Sequence, residues 1–447
     1  MKLSDAFNVA KGDVIAFVGA GGKTSTLIAL GYELAEAGWR VLATTTTRIG
    51  QDQLALMPSH VPPDSGAAIS AALSEHHFVF VYDDIRAGKV YGPPLSHIAW
   101  LLDSVDADVL LIEADGSRGL PFKAPYPHEP VIPPEATLVV PVVSLSALGQ
   151  PLGEDHVYNA QAMIDHFGFY PGYPVKSPWI AQVLRDEDMG LKGVPEHARV
   201  IALVNQTPAV GYLRGRARLI ARLALRSPRV YGVALGSVRG ADPVHEVQRS
   251  IGAVVLAAGM SRRMGEPKVL LPWTGRKTII EHIIEQLILS RVDHIVGITG
   301  HRADEVRPRI EQLGVETVFN PDYESGEMLS SLKAGLRAMP DHIAAALVVL
   351  GDQPRLQPKV IHQVLTAYAE GKGDIVAPSF QMRRGHPILI DRRYWREILN
   401  LPDDAAPRDV INLHQDRLAY VTVDNDSVLR DVDTPQDYRD ERRAAGI

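Results

Sequence analysis

The chain has 447 residues, with 46 lysines and arginines against 53 aspartates and glutamates, a formal net charge of −7. A length of this order divides into two or three domains at ~150 residues each, every one large enough to bury its own core. No cysteine is present, which excludes disulfides, zinc–thiolate sites, iron–sulfur clusters and thiolate nucleophiles together.

The acidic balance, without a lysine- or arginine-rich block, speaks against a nucleic-acid partner. The opening MKLSDAFNVAKGD has no apolar core, and no run of about eighteen apolar residues occurs. No membrane partner is expected, and the expected location is cytoplasmic.

Residues 14–18 (VIAFV) form an apolar run closed by Gly19-Ala20-Gly21-Gly22-Lys23-Thr24, and residues 26–37 then have helical spacing. Strand, glycine turn and helix is the context of a phosphate loop. The amides of Gly19, Gly21 and Gly22 and the helix amino end would hold phosphates. Lys23 would reach them as a point charge, and Thr24 would offer a hydroxyl to Mg²⁺. The spacing here is GxxGKT, shorter than GxxxxGK[ST], and GxGxxG fails at Thr24. A plain glycine turn with a solvated lysine is the competing reading.

A second strand from residue 40 runs into Thr44 to Thr47, which would face the same site from a neighbouring parallel strand. β-Branched strand preference alone also explains them. A third run, residues 109–112, leads into Glu113-Ala114-Asp115-Gly116-Ser117-Arg118-Gly119. Two carboxylates at a strand end suit a Mg²⁺-nucleotide site, and Asp115 with Thr24 is the expected metal pair, with acids of a surface turn as the competing reading. Phe122-Lys123-Ala124-Pro125 and His128-Glu129-Pro130 read as a polar, proline-rich loop rather than core. Residues 137–143, 200–204 and 229–234 are further strands, and Asn205 sits where a base or ribose can be read, although a plain turn asparagine is the more common occupant of such a position. Residues 236–249 (GSVRGADPVHEVQR) are polar with glycine and proline, so the boundary is placed there.

The stretches FVGAGGKTSTL, VLATTTT, EADGSRGLPFKAP, HEPVIP and SALGQPLGEDHV resemble the YqeC family, associated with selenium-dependent molybdenum hydroxylases, over about residues 3–234. The resemblance implies a nucleotide-binding accessory domain taking ATP or GTP, with a molybdenum hydroxylase as client.

The second half opens with strand residues 253–256, followed by Gly259, Ser261, Arg262, Arg263 and Lys268. A buried strand that ends in glycine and turns cationic brings amides and fixed charge up to phosphates. Helices and strands then alternate through residues 278–369, which implies a mostly parallel sheet covered on both faces, with its ligand at the strand carboxyl ends. Asp352, and Asp431 with Asp433, follow such strands. Two carboxylates from separate segments can share one Mg²⁺ bridging a nucleotide's phosphates, although each acid alone is more often a turn or cap residue.

LAAGMSRRMGEPK, TGHRADEV, NPDYESG with SSLKAG, LGDQP, GHPIL and DVDTPQDY resemble, in this order, the MobA-like nucleotidyltransferases, and within them the molybdenum cofactor cytidylyltransferases. By position the resemblance implies that Gly259 approaches the triphosphate while Arg263 and Lys268 neutralise it. It implies Asp352 and Asp433 as the Mg²⁺ ligands, Ser330 and Ser331 beside the nucleotide, and Gly385-His386-Pro387 on the pterin side. Ala257-Ala258 is the form associated with CTP, and the acceptor would be a molybdopterin-type pterin. The sequence departs from the family at Glu327 and in residues 403–409 (DDAAPRD), both toward the expected pterin pocket. The expectation is an α/β protein of two domains: a P-loop-type parallel domain over residues 1–240 and a Rossmann-like nucleotidyltransferase domain over 250–447.

Overall fold

The computed structural model describes residues 1–63, 65–325 and 327–447, apart from the side chain of Glu327. The departure noted at Glu327 therefore lies outside the described side chains. The chain divides into two compact units, Met1–Gln248 and Arg249–Ile447.

The first unit is built on a nine-stranded sheet. Its strands in chain order are β1 (Asp13–Gly19), β2 (Val41–Thr45), β3 (His60–Val61), β4 (Phe78–Val81) and β5 (Val109–Glu113), then β6 (Leu138–Ser144), β7 (Arg199–Asn205), β8 (Val230–Gly236) and β9 (Val244–Gln248). Their spatial order is β9-β8-β7-β6-β1-β5-β2-β4-β3, parallel except for the β8/β9 pair. Central strands of a parallel sheet are covered on both faces, which is why β1, β5 and β6 are apolar without alternation. All of β5 and β6 is buried, and β1 up to Gly19. The order turns about β1, so the loops after β1, β5, β6 and β7 gather at one edge, where open α/β sheets take ligands.

Two stretches differ from their sequence reading. Residues 236–249 contain strand β9, and the polarity that suggested a linker comes partly from Glu246, which is fully buried. Its carboxylate accepts from Arg218 Nε and Nη2, both at 2.7 Å, and from Arg214 Nε at 3.2 Å. A buried acid satisfied by two guanidinium groups is compatible with a strand. Phe122–Lys123, read as loop, is a short strand paired in parallel with Val157–Tyr158, and Phe122, Lys123 and Ala124 are all buried.

The second unit carries β10 (Ile251–Ala257), α1 (Ile279–Leu289), β11 (His294–Thr299), β12 (Glu316–Phe319), α2 (Glu327–Ala338), β13 (Ala345–Leu350), α3 (Pro358–Ala369), β14 (Ile375–Phe380), β15 (Arg383–Arg384), β16 (Ile388–Asp391), β17 (Leu418–Thr422) and α4 (Pro435–Ala444). The sheet order is β12-β11-β10-β13-β16-β14-β15, with β17 paired to β14. The β12 to β13 portion is parallel, and β16 enters antiparallel on β13 and β14. Strand β10 is central and pairs residue by residue with β11 and β13, so its carboxyl end and that of β13 open side by side. Helix α1 starts in a capping box, Thr278 accepting from Glu281 N–H while the Glu281 carboxylate accepts from Thr278 N–H. It lays Ile279, Ile280, Ile283, Ile284 and Leu287 on the sheet.

Among the described residues no helix is long and apolar enough to cross a membrane.

Candidate functional site

Each unit presents a lysine-centred cluster at the carboxyl edge of its sheet. In the first unit, β1 ends at Gly19 and the helix Lys23–Glu36 begins four residues later. The loop between them requires glycine. Gly21 and Gly22 have φ of +81° and +133°, and a Cβ at Gly22 would stand 2.2 Å from Asn205 Nδ2. Successive amides in such a turn form a concavity for an anion.

Lys23 turns inward, 96% buried, and donates to the Gly19 carbonyl at 2.7 Å and to Ser117 Oγ at 3.3 Å. Its ammonium is 3.1 Å from Asp115 and 4.0 Å from Glu113. Burial by itself would lower the Lys23 pKa, but the carboxylates of Asp115, Glu113 and Glu129 outweigh it and the net shift is upward. Burial drives the Glu113 carboxyl upward against the pull of Lys23 and Thr24.

The expected pairing of Thr24 with Asp115 is not what the side chains make. Thr24 Oγ1 donates to Glu113 at 2.6 Å. Asp115 is held elsewhere: Gly19 N–H donates to it at 2.9 Å, and Lys123 lies 3.0 Å from it. Lys123 also donates to Glu129 at 2.8 Å and to the Gly116 carbonyl at 2.7 Å. The threonines after β2 are likewise committed, Thr44, Thr45 and Thr46 donating to the carbonyls of Val81, Glu113 and Val131. They brace strand ends rather than offering hydroxyls to a ligand. Asn205 donates to the Gly21 carbonyl at 2.9 Å and accepts from Gln206 and Val238 N–H, tying together the loops after β1, β7 and β8.

In the second unit, the segment after β10 turns at Ser261, whose φ is +49° and whose hydroxyl accepts from Lys268 N–H at 3.0 Å. This fixes the backbone of Lys268 at the site. Its ammonium donates to Asp352 at 3.1 Å, just past β13, and to Asp433 at 2.5 Å, just before α4. Arg263 donates to the other Asp433 oxygen at 2.8 Å from an exposed position. Four of the anticipated residues, Arg263, Lys268, Asp352 and Asp433, thus meet at one point. Burial raises the Asp352 carboxyl, with Lys268 pulling the other way. The hydrogen bond from Lys268 is the main reason Asp433 is held below the usual carboxylate range. For Lys268 itself burial works downward, and Asp352 and Asp433 turn the shift upward.

Asp433 is placed by the cap of α4, since Thr434 accepts from Asp437 N–H while the Asp437 carboxylate accepts from Asp433 and Thr434 N–H. Val432 N–H donates to the Asp352 carbonyl at 2.9 Å, which binds the two acidic segments directly. Two hard carboxylates closing on one ammonium is also the donor set for a shared Mg²⁺, so Asp352 and Asp433 fit such an ion.

Ala257 ends β10, Ala258 follows it buried, and Gly259 is exposed. Ser330 and Ser331, on α2, both accept from Asn320 Nδ2, at 2.8 and 3.0 Å. Asn320 directly follows β12 and is linked to the set through that contact. His386 lies at the β16 side, its Nδ1 3.2 Å from the Val348 carbonyl, and burial lowers its pKa. A donor to that carbonyl puts the proton on Nδ1 and leaves Nε2 as an acceptor. Gln353 donates to Asp431 at 2.7 Å, so Asp431 is tied back from the Lys268 cluster.

Sequence reasoning placed Lys123 and Glu129 in a polar loop rather than at the site, whereas both are buried. Their signal was a lysine six residues before a glutamate in a segment that holds no other charged residue apart from the titratable His128.

Comparison with known proteins fits this division. Residues 15–161 match the YqeC protein family, and residues 253–418 match the MobA-like NTP transferase domain. The chain is 36% identical over 199 residues to "Uncharacterized protein YqeC" of Escherichia coli (strain K12), covering 43% of this chain and 75% of that one. It is 29% identical over 190 residues to the molybdenum cofactor cytidylyltransferase of the same organism, covering 42% and 94%. It is also 32% identical over 199 residues to the nicotine blue oxidoreductase of Paenarthrobacter nicotinovorans, covering 42% and 95%. Among solved structures, Rv0371c from Mycobacterium tuberculosis H37Rv has 28% identity and a TM-score of 0.39, covering 44% of this chain and 98% of its own.

The second unit is thus a nucleotidyltransferase-type α/β domain. The chain belongs to the YqeC family through its first unit, with a MobA-like NTP transferase domain fused after it. The relatives of the second unit bear the names of different reactions, so the residues rather than the percentages carry the finer reading.

Proposed function

We propose that the second unit transfers CMP from Mg·CTP to the terminal phosphate of a molybdopterin-type pterin. An acceptor phosphate oxygen would attack the α-phosphorus of CTP, and the bond to pyrophosphate would break. The observation that carries the reading is the single ammonium of Lys268 shared by Asp352 and Asp433 beside Arg263. When bound, Mg²⁺ would offset charge on the phosphates, held by Asp352 and Asp433. Lys268 would move from carboxylate to triphosphate, and Arg263, exposed beside Asp433, would follow the leaving pyrophosphate. An acceptor phosphate is ionised at neutral pH, so positioning and charge stabilisation suffice without a strong base.

Ala257 and Ala258 at the end of β10 favour cytidine. Ser330 and Ser331 would lie beside the nucleotide, and neutral His386 on the pterin side would accept from a ring N–H. The test is incubation with each of four NTPs, Mg²⁺ and molybdopterin, reading pyrophosphate release and the mass of the pterin product. Release with CTP and a cytidylylated pterin is expected. Release with another NTP overturns the cytidine assignment, and no release with any NTP overturns transfer.

The separate loop Gly19–Thr24 favours a second role for the first unit, binding ATP or GTP as a switch while the protein delivers cofactor to a molybdenum hydroxylase. Lys23→Ala should then spoil maturation of the client while pyrophosphate release stays unchanged. Intact maturation in that variant removes the switch role.

A further inference from the structure

Nucleotidyl transfer to a phosphate brings two anions together, and each needs a cation of its own because their like charges repel. In the proposed reaction Lys268 and Arg263, which converge on Asp433, serve the triphosphate. The cation for the acceptor has to come from another segment. Hairpin β14–β15 supplies one. Strand β14 runs in the same direction as β13, since β16 lies antiparallel between them, so Phe380 and Leu350 end at the same edge of the sheet. The chain then turns through Gln381 and Met382, with φ of +49° and +64°, and returns as Arg383 and Arg384 opposite Phe380 and Ser379.

The base of this hairpin is fixed beside the acidic segments. His386 N–H donates to the Val428 carbonyl at 3.0 Å, and the Gln353 side chain, next in the chain to Asp352, donates to the same carbonyl at 3.5 Å. Gly385 permits the approach, since a Cβ there would stand 2.4 Å from the Val428 carbonyl oxygen. Phe380 packs against Val360, Val423 and Val428, which holds the other arm. Among the described residues neither the Arg383 nor the Arg384 guanidinium has a hydrogen-bonding or ionic partner. Neighbours on a strand face opposite sides, so the two are not equivalent. Arg383 is exposed and Arg384 half-buried. Burial lowers the His386 pKa and the Arg384 charge adds to that, which puts Arg384 on the His386 side.

We infer that Arg384 binds the phosphate of the acceptor, and that Arg383, on the opposite face, does not. A guanidinium presents paired N–H donors that match two phosphate oxygens, and one without a counter-ion takes up a phosphate without first breaking an ion pair. Arg384 then offsets the acceptor's charge as it nears CTP and selects a phosphorylated acceptor over one that lacks the group. The inference rests on the nucleotidyl-transfer reading of the second unit and adds to it the residue that recognises the attacking group.

The test is calorimetry on the full chain with molybdopterin and with the same pterin after its phosphate has been removed. Mg²⁺ and α,β-methylene CTP are present, so that both sites fill and no transfer occurs. The wild-type chain should prefer the phosphorylated pterin by about tenfold or more. Arg384→Ala should abolish that preference, and Arg383→Ala should keep it. Arg384→Gln is the second variant if Arg384→Ala lowers the melting temperature, and unchanged affinity for the dephosphorylated pterin reports an intact pocket. No preference in the wild type, a preference kept in both Arg384 variants, or one lost as fully in Arg383→Ala overturns the inference. An Arg384-dependent preference without pyrophosphate release from any NTP overturns transfer and leaves Arg384 as a phosphate ligand. A wild-type chain that binds neither pterin removes the acceptor reading and the role of Arg384 together.

Discussion

Lys23 and Lys268 occupy corresponding places, each following a glycine-containing turn after a central parallel strand, yet their surroundings differ in kind. Lys23 is 4% exposed and is enclosed by Asp115, Ser117 and the Gly19 carbonyl, with a second lysine behind. Lys268 is partly open, and its partners Asp352 and Asp433 are themselves reached by solvent. In a closed ionic cluster each charge holds the fold, because removing one strands another in low dielectric. In an open cluster the pairs are screened and exchangeable, so a charge can be lent to a ligand with little effect on folding. The first unit therefore encloses its lysine as a part of the fold. The second leaves its lysine and both acids only partly buried.

The sharpest way to break this contrast is Lys123→Met. It leaves Glu129 without its buried cation and Asp115 with Lys23 alone, and should destabilise the first unit by about 3–5 kcal/mol. For a unit of this size that is a fall in melting temperature of roughly 10 °C. A melting curve superimposable on the wild type would show the cluster to be open after all.

Lys268→Ala should do the opposite, with the melting temperature nearly unmoved and the rate of CTP-dependent pyrophosphate release down by about 10²–10³. Comparable losses in folding and rate would erase the distinction between the two lysines.

Acid pH sharpens it further. Burial raises Asp352, whereas Asp433 is held low by the hydrogen bond from Lys268. A raised carboxyl takes up its proton first as pH falls, so Asp352 should set the acid limb of the transfer rate, above the usual carboxylate range. Protons and metal compete for the same oxygens, so excess Mg²⁺ should move that limb to lower pH. A rate profile measured at two Mg²⁺ concentrations checks both the position and the direction. An acid limb indifferent to Mg²⁺ would remove Asp352 from the metal.

The smallest effect is expected from Thr434→Ala. It deletes the cap of the helix that places Asp433 and should cost about 1 kcal/mol in the second unit. Thermal unfolding of the variant reads this directly, with a modest loss of transfer rate alongside.

Much of the second site was legible in the chain. The cationic run ending at Lys268 and the acid Asp352 follow segments whose apolar character already marked them as strands, whereas Asp433 lies well past β17 and is placed by the cap of α4. Parallel strands with crossovers bring such ends to one edge. Asn320 was not legible as a partner of Ser330 and Ser331, because the link is a contact between a strand end and a helix face. In the first unit Gly19–Thr24 was equally plain, but which carboxylate stands beside Thr24 was not. Glu113 and Asp115 are two residues apart, and only the register of β5 against β1, which pairs Phe17 with Glu113, sets which one reaches the helix start. Lys123 and Glu129 were misread because charge and proline suggest solvent, whereas mutual pairing allows burial.

By itself the sequence determined the alternation of strands and helices, the two glycine turns and the cationic and acidic residues beside them. These are local properties of spacing, propensity and backbone freedom. The tertiary structure decided which charges neutralise each other and how deeply: it enclosed Lys23 with Lys123 and left Lys268 partly open. That outcome depends on distance and dielectric across segments more than a hundred residues apart in the case of Lys268 and Asp433, 165 residues apart in the chain.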